Sequence, residues 1–302
     1  MARNDPHTHP KIAVVVVTHN RLALLQQCLA AVRNLTRKAD EIIVVNNASN
    51  DGTSEWLKTQ PGLTVLPQGD VGSAGGFYSG IKYAYQHECD WVWCMDDDSL
   101  PTPHALESLT QCPYFDSTTT GFLASAVVWR DGSAHFGTLT NPVYVQQWLV
   151  RVLEDRCFGI QSASWVGLMV SRTAIAKVGF PIKELYIFCE DVEYTVRIRT
   201  HFQGYVVLDS KMIHQTEKNV GADPTENPTD RHAYKTKYYY RNNVTIILLA
   251  PVSLARRLKR VMVFITERLF REKSWAWRVT ILQYSLAGVW LYLKLRKANF
   301  HE

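Results

Sequence analysis

Residues 91–101 read Trp91-Val92-Trp93-Cys94-Met95-Asp96-Asp97-Asp98-Ser99-Leu100-Pro101. The apolar run predicts a strand buried in a sheet, and this strand ends in three consecutive carboxylates. Open α/β sheets bind ligands at the carboxyl edge of their strands, so the negative charge is concentrated where a ligand is expected. Adjacent carboxylates repel one another, and the run therefore indicates a divalent cation and the phosphates that it bridges. The alternative interpretation is a solvated acidic turn that caps the following helix.

Three strand and helix pairs precede this stretch and predict an α/β fold. Residues 11–18 form a β-branched run without alternation, which is typical of a strand buried on both faces of a parallel sheet. Further strands are predicted at 41–46 and 63–66, and helices at 22–32, 53–58 and 75–87. Short connections between them favour a right-handed, mostly parallel sheet with helices on both faces. After the acidic run, the predicted elements are a helix at 103–111, a hairpin at 121–136, a strand at 164–170, a helix at 189–201 and a strand at 205–209.

The composition indicates a folded chain in a reducing compartment. With 302 residues, 46% hydrophobic and 20% charged, the chain can form one large domain or one domain with an appendage. Six cysteines are scattered without CxxC pairs, which indicates reduced thiols in a cytoplasmic protein. Residues 1–10 are polar, lack the apolar core of a signal peptide, and are predicted to be disordered.

The pattern changes to long helical periodicity at residue 233. Helices are predicted at 233–249, 253–271 and 275–298, so we divide the chain into an α/β domain at 11–232 and a helical region at 233–302. No window in this region is apolar enough for a membrane span. The segment 275–294 is aromatic and flanked by bases, which is typical of a helix lying on an anionic membrane surface. The alternative is a helical hairpin packed on the α/β domain or on a second copy of the chain, which leaves a homo-oligomer open.

Four loops of the predicted sheet emerge along one edge. They are residues 18–21, residues 46–53, the glycine-rich turn at 69–76 and the acidic run. Together they can build a nucleotide pocket, in which the first two supply short polar groups for a base and ribose and the last supplies the metal for a diphosphate. Gly75 and Gly76 are either turn formers or allow a sugar or phosphate to approach backbone amides closely.

These motifs carry a resemblance to a known family. Val15-Val16-Val17-Thr18-His19-Asn20-Arg21, the run from Val44 to Thr53 and Met95-Asp96-Asp97-Asp98 occur in the order that resembles the inverting, GT-A-fold glycosyltransferases of family 2. The resemblance covers residues 11 to about 215. The run from Gly69 to Gly80, together with 91–98, is similar to the galactofuranosyltransferase and rhamnosyltransferase branch. It implies a Rossmann-like, mostly parallel sheet flanked by helices, followed here by a helical extension.

The resemblance also implies the residues of a metal and donor site. Asp96 and Asp98 match the acids that would hold Mn²⁺ or Mg²⁺, His214 matches the histidine that completes the metal shell, and Asp97 would lie toward the sugar or ribose. Asn46 departs from an aspartate that is common in the family, and Asn47 would offer a donor and an acceptor to a uracil edge. The residues expected to contact the nucleotide sugar are Thr18, Asn20, Arg21, Asn47, Asp51, Gly75, Gly76, Asp96, Asp97 and Trp165.

Inversion at an anomeric carbon requires a base for the acceptor hydroxyl. Asp191 matches the base of the family, and Glu190 would orient the acceptor, although both could instead be simple caps of the predicted helix. Trp165 either stacks on a sugar ring or packs in the core. Arg241, in the unusual run from Tyr238 to Asn243, either reaches the diphosphate or is a stacked surface arginine.

The functional expectation is a metal-dependent inverting glycosyltransferase. Its predicted donor is UDP-galactofuranose and its predicted acceptor is a lipid-linked surface glycan at the inner face of the cytoplasmic membrane. The alternatives are a rhamnosyltransferase that uses dTDP-rhamnose and a non-catalytic nucleotide-sugar-binding scaffold. A dinucleotide-binding dehydrogenase and a phosphate-loop NTPase are disfavoured because GxGxxG does not follow the first strand and GxxxxGK[ST] is missing. Nucleic acid is not an expected partner, because the bases cluster in the tail.

Overall fold

The structure is a computed structural model that describes residues 9–115, 118–135, 138, 143, 152–219, 233–272 and 274–297. The prediction of a disordered N-terminus falls almost entirely on residues 1–8, which lie outside the described residues. Residue 136, the last residue of the predicted hairpin, also lies outside the described residues.

The first half of the sheet is parallel, as the sequence predicts. Its strands lie in the order β3-β2-β1-β4. They are β1 (Ile12–Thr18), β2 (Glu41–Asn47), β3 (Thr64–Gln68) and β4 (Trp91–Asp96). Every residue of β1 is buried, which explains why its sequence does not alternate between apolar and polar residues. The connecting helices are α1 (Leu22–Arg33), α2 (Thr53–Lys58) and α3 (Gly72–Gln86).

The second half of the sheet is mixed, which corrects the expectation of a mostly parallel sheet. The order continues as β8-β6-β9-β5, with β7 beside β9. These strands are β5 (Ser99–Pro101), β6 (Thr120–Trp129), β7 (Cys157–Gly159), β8 (Leu168–Ser171) and β9 (Gln203–His214). The pairs β4 with β8, β8 with β6, β5 with β9 and β7 with β9 are antiparallel. Strand direction escaped the sequence analysis because a short apolar run looks the same in both directions.

The helices cover both faces of the sheet. On one face, Val14 and Val16 of β1 lie in the same hydrophobic cluster as Leu25 and Leu29 of α1. On the other, Val15 lies in a cluster that includes Phe77 and Ile81 of α3. The α/β part also contains α4 (Ala105–Thr110), α5 (Arg172–Val178), a 3₁₀ helix (Lys183–Leu185) and α6 (Glu190–Arg199). All six cysteines are free thiols, and five of them are buried.

Three long helices follow close to their predicted positions. They are α7 (Ala233–Leu249), α8 (Leu254–Arg271) and α9 (Trp275–Lys297). Leu291 and Leu295 of α9 share a buried apolar cluster with Ala74 of α3 and with Ile182 and Leu185. The helical region is therefore packed on the α/β part, in agreement with the hairpin alternative. Among the described helices, none is long and apolar enough to cross a bilayer.

Candidate active site

The acidic cluster, defined as Asp96, Asp97 and Asp98, lies at the carboxyl end of β4 and is largely buried. Asp97 is 3% exposed and Asp98 is 8% exposed, whereas Asp96 is half-buried. The alternative of a solvated acidic turn is therefore wrong. Carboxylates withdrawn from water in this way need cations or hydrogen-bond donors nearby.

Arg21 and Thr18 supply part of that compensation from the loop after β1. Arg21 Nη1 lies 2.8 Å from Asp98 Oδ2 and 3.2 Å from Asp97 Oδ1. Thr18 Oγ1 donates a hydrogen bond of 2.8 Å to Asp97 Oδ2. Both side chains therefore contact the acidic cluster, and their contacts with a nucleotide stay a prediction.

The pKa values of the three acids diverge because their environments differ. Burial raises the pKa of Asp97 to about 6, with Arg21 opposing the rise. Burial also disfavours the charged form of Asp98, but hydrogen bonds and charge from His214 and Arg21 lower its pKa to about 2. Burial and the other two acids raise the pKa of Asp96 well above its ordinary value. The cluster thus carries more negative charge than Arg21 neutralises.

His214 lies beside the acidic cluster because β9 continues to this residue and pairs with β5. Ser99 and His214 are partners in the β5 and β9 ladder, and His214 Nε2 lies 3.2 Å from Asp98 Oδ1. His214 Nδ1 is buried without a hydrogen-bond partner. His135, which the sequence analysis missed, has its ring centroid 4.5 Å from that of His214. Burial and His214 lower the pKa of His135 to about 4, so His135 is neutral.

The acidic cluster and His214 have the chemistry to bind a divalent cation, but their side chains are not arranged as a complete metal site. Within the described part of the chain, no group of three histidine, cysteine, aspartate or glutamate side chains has the geometry of a metal site. However, no described residue donates a hydrogen bond to the Asp96 carboxylate, and its surroundings raise its pKa well above the ordinary value. Mn²⁺ binds carboxylate oxygens and imidazole nitrogens as ligands. The chemistry of the donor set therefore agrees with the predicted Asp96, Asp98 and His214 site.

At the carboxyl end of β2, the side chain of Asn47 forms hydrogen bonds with neighbouring residues of the protein. Asn47 is 2% exposed, and its Nδ2 donates to the carbonyl oxygen of Gly72 at 2.9 Å. Its Oδ1 accepts a hydrogen bond from Gln68 Nε2 at 2.5 Å. The Asn47 amide is thus occupied on both sides. This corrects the expectation that it reads a uracil edge.

Asn20 and Asp51 brace the first two loops against each other. Asn20 Oδ1 accepts from the Asn50 backbone N–H at 2.7 Å, and the Asn20 backbone N–H donates to Ser49 Oγ at 3.0 Å. Asp51 Oδ2 accepts from the Leu22 N–H at 2.9 Å, at the start of α1. Both side chains are exposed at the carboxyl edge of the sheet. Their contacts with a nucleotide stay a prediction.

Gly75 and Gly76 lie in the buried first turns of α3. A Cβ on Gly76 would lie 2.5 Å from Val17 Cγ1, and a Cβ on Gly75 would overlap the Val71 side chain. Gly76 therefore allows α3 to pack closely on β1, and Gly75 leaves room for Val71 at the N-terminus of the same helix. This packing accounts for both glycines, and their contact with a sugar or phosphate stays a prediction.

Trp165 is used in the core. Its ring is 3% exposed and stacks on Phe77 with centroids 4.3 Å apart. This burial is at odds with stacking on a sugar and matches the core alternative. The backbone of Trp165 has a different role, because a hydrogen bond from it helps to lower the pKa of Asp191.

Glu190 and Asp191 open α6 as a carboxyl pair, in which Glu190 is buried and Asp191 is half-buried. Glu190 is 3% exposed; its Oε1 accepts a hydrogen bond from Ser73 Oγ, and its Oε2 is buried without a partner. Burial and the charge of Asp191 raise the pKa of Glu190 to about 8. Burial raises the pKa of Asp191 to about 6, opposed by the Val192 N–H, which lies 2.7 Å from Asp191 Oδ1. A plain helix cap does not require such burial, so the functional alternative is favoured.

The carboxyl pair lies close enough to the acidic cluster for charge to shift pKa values in both groups. Asp191 raises the pKa of Asp96, and Asp96 raises that of Glu190. Lys235, near the start of α7, also lies there. Burial and Arg21 lower its pKa, whereas Asp96, Asp98 and Glu190 oppose that change. Lys235 is not evident as a site residue from the sequence, because nothing in the helical pattern links it to an acidic run more than a hundred residues earlier.

Comparison with known proteins agrees with this arrangement. The sequence profile described as Glycosyl transferase family 2 matches residues 13–160. The chain carries a glycosyl transferase family 2 domain. This match includes the loops after β1 and β2 and the acidic cluster, and it ends before α6.

Two relatives of the family 2 domain are galactofuranosyltransferases. Galactofuranosyltransferase GlfT1 of Mycolicibacterium smegmatis is 36% identical over 114 residues, which cover 36% of this chain and 38% of that protein. GlfT1 of Mycobacterium tuberculosis is 24% identical over an alignment that covers 96% of both chains. Together with the family match, these relatives show that the chain is a glycosyltransferase.

Solved structures show that the fold is of the GT-A type. The structure of S. aureus TarS in complex with UDP-GlcNAc has a TM-score of 0.60 at 15% identity, covering 91% of this chain and 79% of that one. GalNAc-T7 with UDP, GalNAc and Mn²⁺ also has a TM-score of 0.60 at 15% identity, covering 80% of this chain and 48% of that one. At this identity the likeness concerns the fold alone.

Replacement of Arg21 tests whether its positive charge compensates the buried carboxylates of the acidic cluster. We expect Arg21→Gln to lower the free energy of unfolding by about 1–3 kcal/mol at pH 8, because buried Asp97 and Asp98 lose their cation. This is less than the cost of breaking a fully buried pair, because the Arg21 side chain is 45% exposed. The loss should shrink at pH 5.5, since Asp97, with a pKa of about 6, then takes up a proton in the folded state.

Urea unfolding at the two pH values measures this effect. Arg156→Gln is the matched control, because Arg156 pairs with Asp209 on the surface, where both side chains are about half exposed. We expect Arg156→Gln to lower the free energy of unfolding by less than about 0.5 kcal/mol. Equal losses in the two variants would show that Arg21 does not compensate buried charge.

Proposed function

We propose that this glycosyltransferase transfers galactofuranose from UDP-galactofuranose to a lipid-linked glycan acceptor, with inversion and with the help of Mn²⁺ or Mg²⁺. The observation that carries the proposal is the acidic cluster on β4, with the carboxyl pair of α6 close enough for their charges to interact. The galactofuranosyltransferase relatives support the choice of sugar.

The leaving diphosphate requires positive charge, and the proposed site can provide it. Asp96, Asp98 and His214 would hold the divalent cation, which when bound neutralises the departing nucleoside diphosphate. Arg21 and Lys235 lie around the same acids and would bind phosphate oxygens. The two positively charged side chains and the bound metal ion would together offset the negative charge that develops on the diphosphate.

The acceptor hydroxyl requires a base, and Asp191 fits this role. At neutral pH a carboxyl group with a pKa of about 6 is mostly ionised yet basic enough to accept a proton. The acceptor oxygen bonds to the anomeric carbon while the bond from that carbon to the diphosphate oxygen breaks. The hydroxyl proton passes to Asp191. Glu190, with a pKa of about 8, is protonated at pH 7, and its unpartnered Oε2 is the atom by which it would orient the acceptor.

Release of the nucleoside diphosphate tests the metal and the donor. We expect the protein with UDP-galactofuranose, Mn²⁺ and a lipid acceptor extract to release UDP, and EDTA to abolish this release. Asp98→Ala should abolish it as well, whereas Asp209→Asn, an exposed acid on β9, should leave it unchanged. Full activity in EDTA would contradict the metal assignment. Release from dTDP-rhamnose instead would identify a rhamnosyltransferase.

The pH dependence of turnover tests the base. An ionised Asp191 is required, so kcat should fall about tenfold per pH unit below about 6 and level off above it. Asp191→Asn should lower kcat by about 10²- to 10⁴-fold and remove this limb of the profile. Unchanged product formation by Asp191→Asn would favour the non-catalytic scaffold.

We also propose that the helical region attaches peripherally to an anionic membrane, where a lipid-linked acceptor would lie. One side of α9 presents a continuous exposed apolar stripe, in which Trp275 is 75% exposed and Leu286 71% exposed. On α8, exposed apolar residues such as Met262 alternate with bases, as in helices that lie in the membrane interface. The α9 stripe consists of Trp275, Val279, Leu282, Leu286, Trp290 and Leu293.

Vesicle binding tests this attachment. We expect Leu286→Ser together with Trp290→Ser to reduce co-sedimentation with vesicles that contain anionic lipid by at least about tenfold, because burial of apolar area drives interfacial binding. Leu153→Ser, an exposed apolar residue outside the stripe, is the control. If vesicle binding is unchanged but a dimer dissociates in light scattering, the stripe is an oligomer interface instead.

A further inference from the structure

The backbone just before Glu190 and Asp191 has an unfavourable conformation. We define the base loop as residues 184–189. Within it, φ is +63° at Tyr186, +70° at Phe188 and +68° at Cys189. Side-chain-bearing residues rarely adopt these values, because Cβ approaches the backbone too closely. Such a conformation persists only where neighbouring groups hold it.

Asn242 of α7 holds three carbonyl groups of the base loop. Its Nδ2 lies 2.8 Å from the oxygen of Leu185, 2.8 Å from that of Ile187 and 2.7 Å from that of Phe188. Asn242 is fully buried, at 0% exposed. A buried amide is costly unless its hydrogen bonds are made, so these contacts account for a polar side chain in this position.

Arg241 fixes the orientation of the Asn242 amide. Arg241 Nε donates to Asn242 Oδ1 at 2.9 Å, which directs Nδ2 toward the base loop. Arg241 Nη2 also donates to the oxygens of Glu184, at 3.0 Å, and Leu185, at 2.8 Å. The guanidinium group is therefore committed to the base loop, which answers the question of whether Arg241 reaches the diphosphate.

The other side of the base loop rests on the start of α3. The Ala74 N–H donates to the Tyr186 oxygen at 3.0 Å, and Tyr186 Oη donates to Asp70 Oδ2 at 2.8 Å. Gly72 has no Cβ, and any Cβ there would overlap the Tyr186 oxygen. Helix α3 also provides Ser73, which binds Glu190. The base loop is thus held between α3 and α7, and the carboxyl pair begins directly after it.

We propose that Asn242 is a positioning residue for catalysis, which acts by fixing the base loop and thereby the place of the Asp191 carboxylate. This proposal rests on the proposed role of Asp191 as the base. The Asn242 Nδ2 group contacts backbone oxygens that directly precede the carboxyl pair, so its effect on the reaction passes through Asp191. Misplacement of a reacting group by about 1 Å can lower a rate by about 100-fold.

Thr245 provides a matched control on the same helix. It is fully buried, and its Oγ1 lies 2.9 Å from the Arg241 oxygen in its own helix and 3.0 Å from the Gly288 oxygen of α9. The contact with Gly288 joins α7 to α9 rather than to the base loop. Asn242→Ala and Thr245→Val each remove one buried polar side-chain group of α7. Both should lower the melting temperature, but only Asn242→Ala should affect the chemical step.

Turnover, donor binding and hydrogen exchange together test the proposal. We expect Asn242→Ala to lower kcat about 100-fold while the Kd for UDP changes less than twofold, and Thr245→Val to retain kcat within twofold. Asn242→Ala combined with Asp191→Asn should be no slower than Asp191→Asn alone, because residues that act through one group are not additive. Amide exchange of residues 185–191 should accelerate at least tenfold in Asn242→Ala and remain unchanged in Thr245→Val.

A failure of the positioning role and a failure of the proposed function give different experimental results. Equal losses of kcat in the two single variants, additive losses in the double variant or unchanged exchange in the base loop would each overturn the positioning role. An inactive wild-type protein with every nucleotide sugar would instead refute the proposed function. In that case the exchange measurement still decides whether Asn242 fixes the base loop.

Discussion

Burial of three adjacent carboxylates at the end of one strand is the constraint around which the site is arranged. Arg21 provides one cation, and Asp96 remains without a hydrogen bond from any described residue. Elements distant in sequence supply the other nearby groups, which are His214 at the end of β9 and Lys235 near the start of α7. Because isolated buried charge is costly, this local excess of negative charge favours a fold that gathers cations or a metal at the same edge.

The loops at this edge are stiffened before any substrate arrives. Thr18 binds the acidic cluster, Asn47 binds Gly72, and Asp51 binds the first backbone N–H of α1. Residues that the sequence analysis assigned to direct contact with the nucleotide therefore hold the pocket walls in part. Such internal hydrogen bonds keep groups in place and reduce the entropy lost when a ligand binds.

The helical region is part of the same structure rather than an appendage. Its inner side packs on α3 through Leu291 and Leu295, and α7 holds the left-handed backbone of the base loop. Its outer side presents the apolar stripe that we propose binds the membrane. The helices thus link the carboxyl pair, through a short series of contacts, to the surface on which a lipid-linked acceptor would lie.

The sequence by itself determined the fold type, the parallel half of the sheet, the three final helices and the acidic run, because these follow from local periodicity and from motifs in order along β1, β2 and β4. Tertiary structure decided what individual polar side chains do. Trp165 and Asn47 have the chemistry to contact a ligand, yet both are occupied by neighbours such as Phe77 and Gly72. Lys235 looks like an ordinary helix residue, yet it lies near the acidic cluster, and Asn242 contacts the base loop from within the unusual run of α7. Residue type limits which bonds a side chain can make, but only the packing of distant segments determines which partner comes within reach.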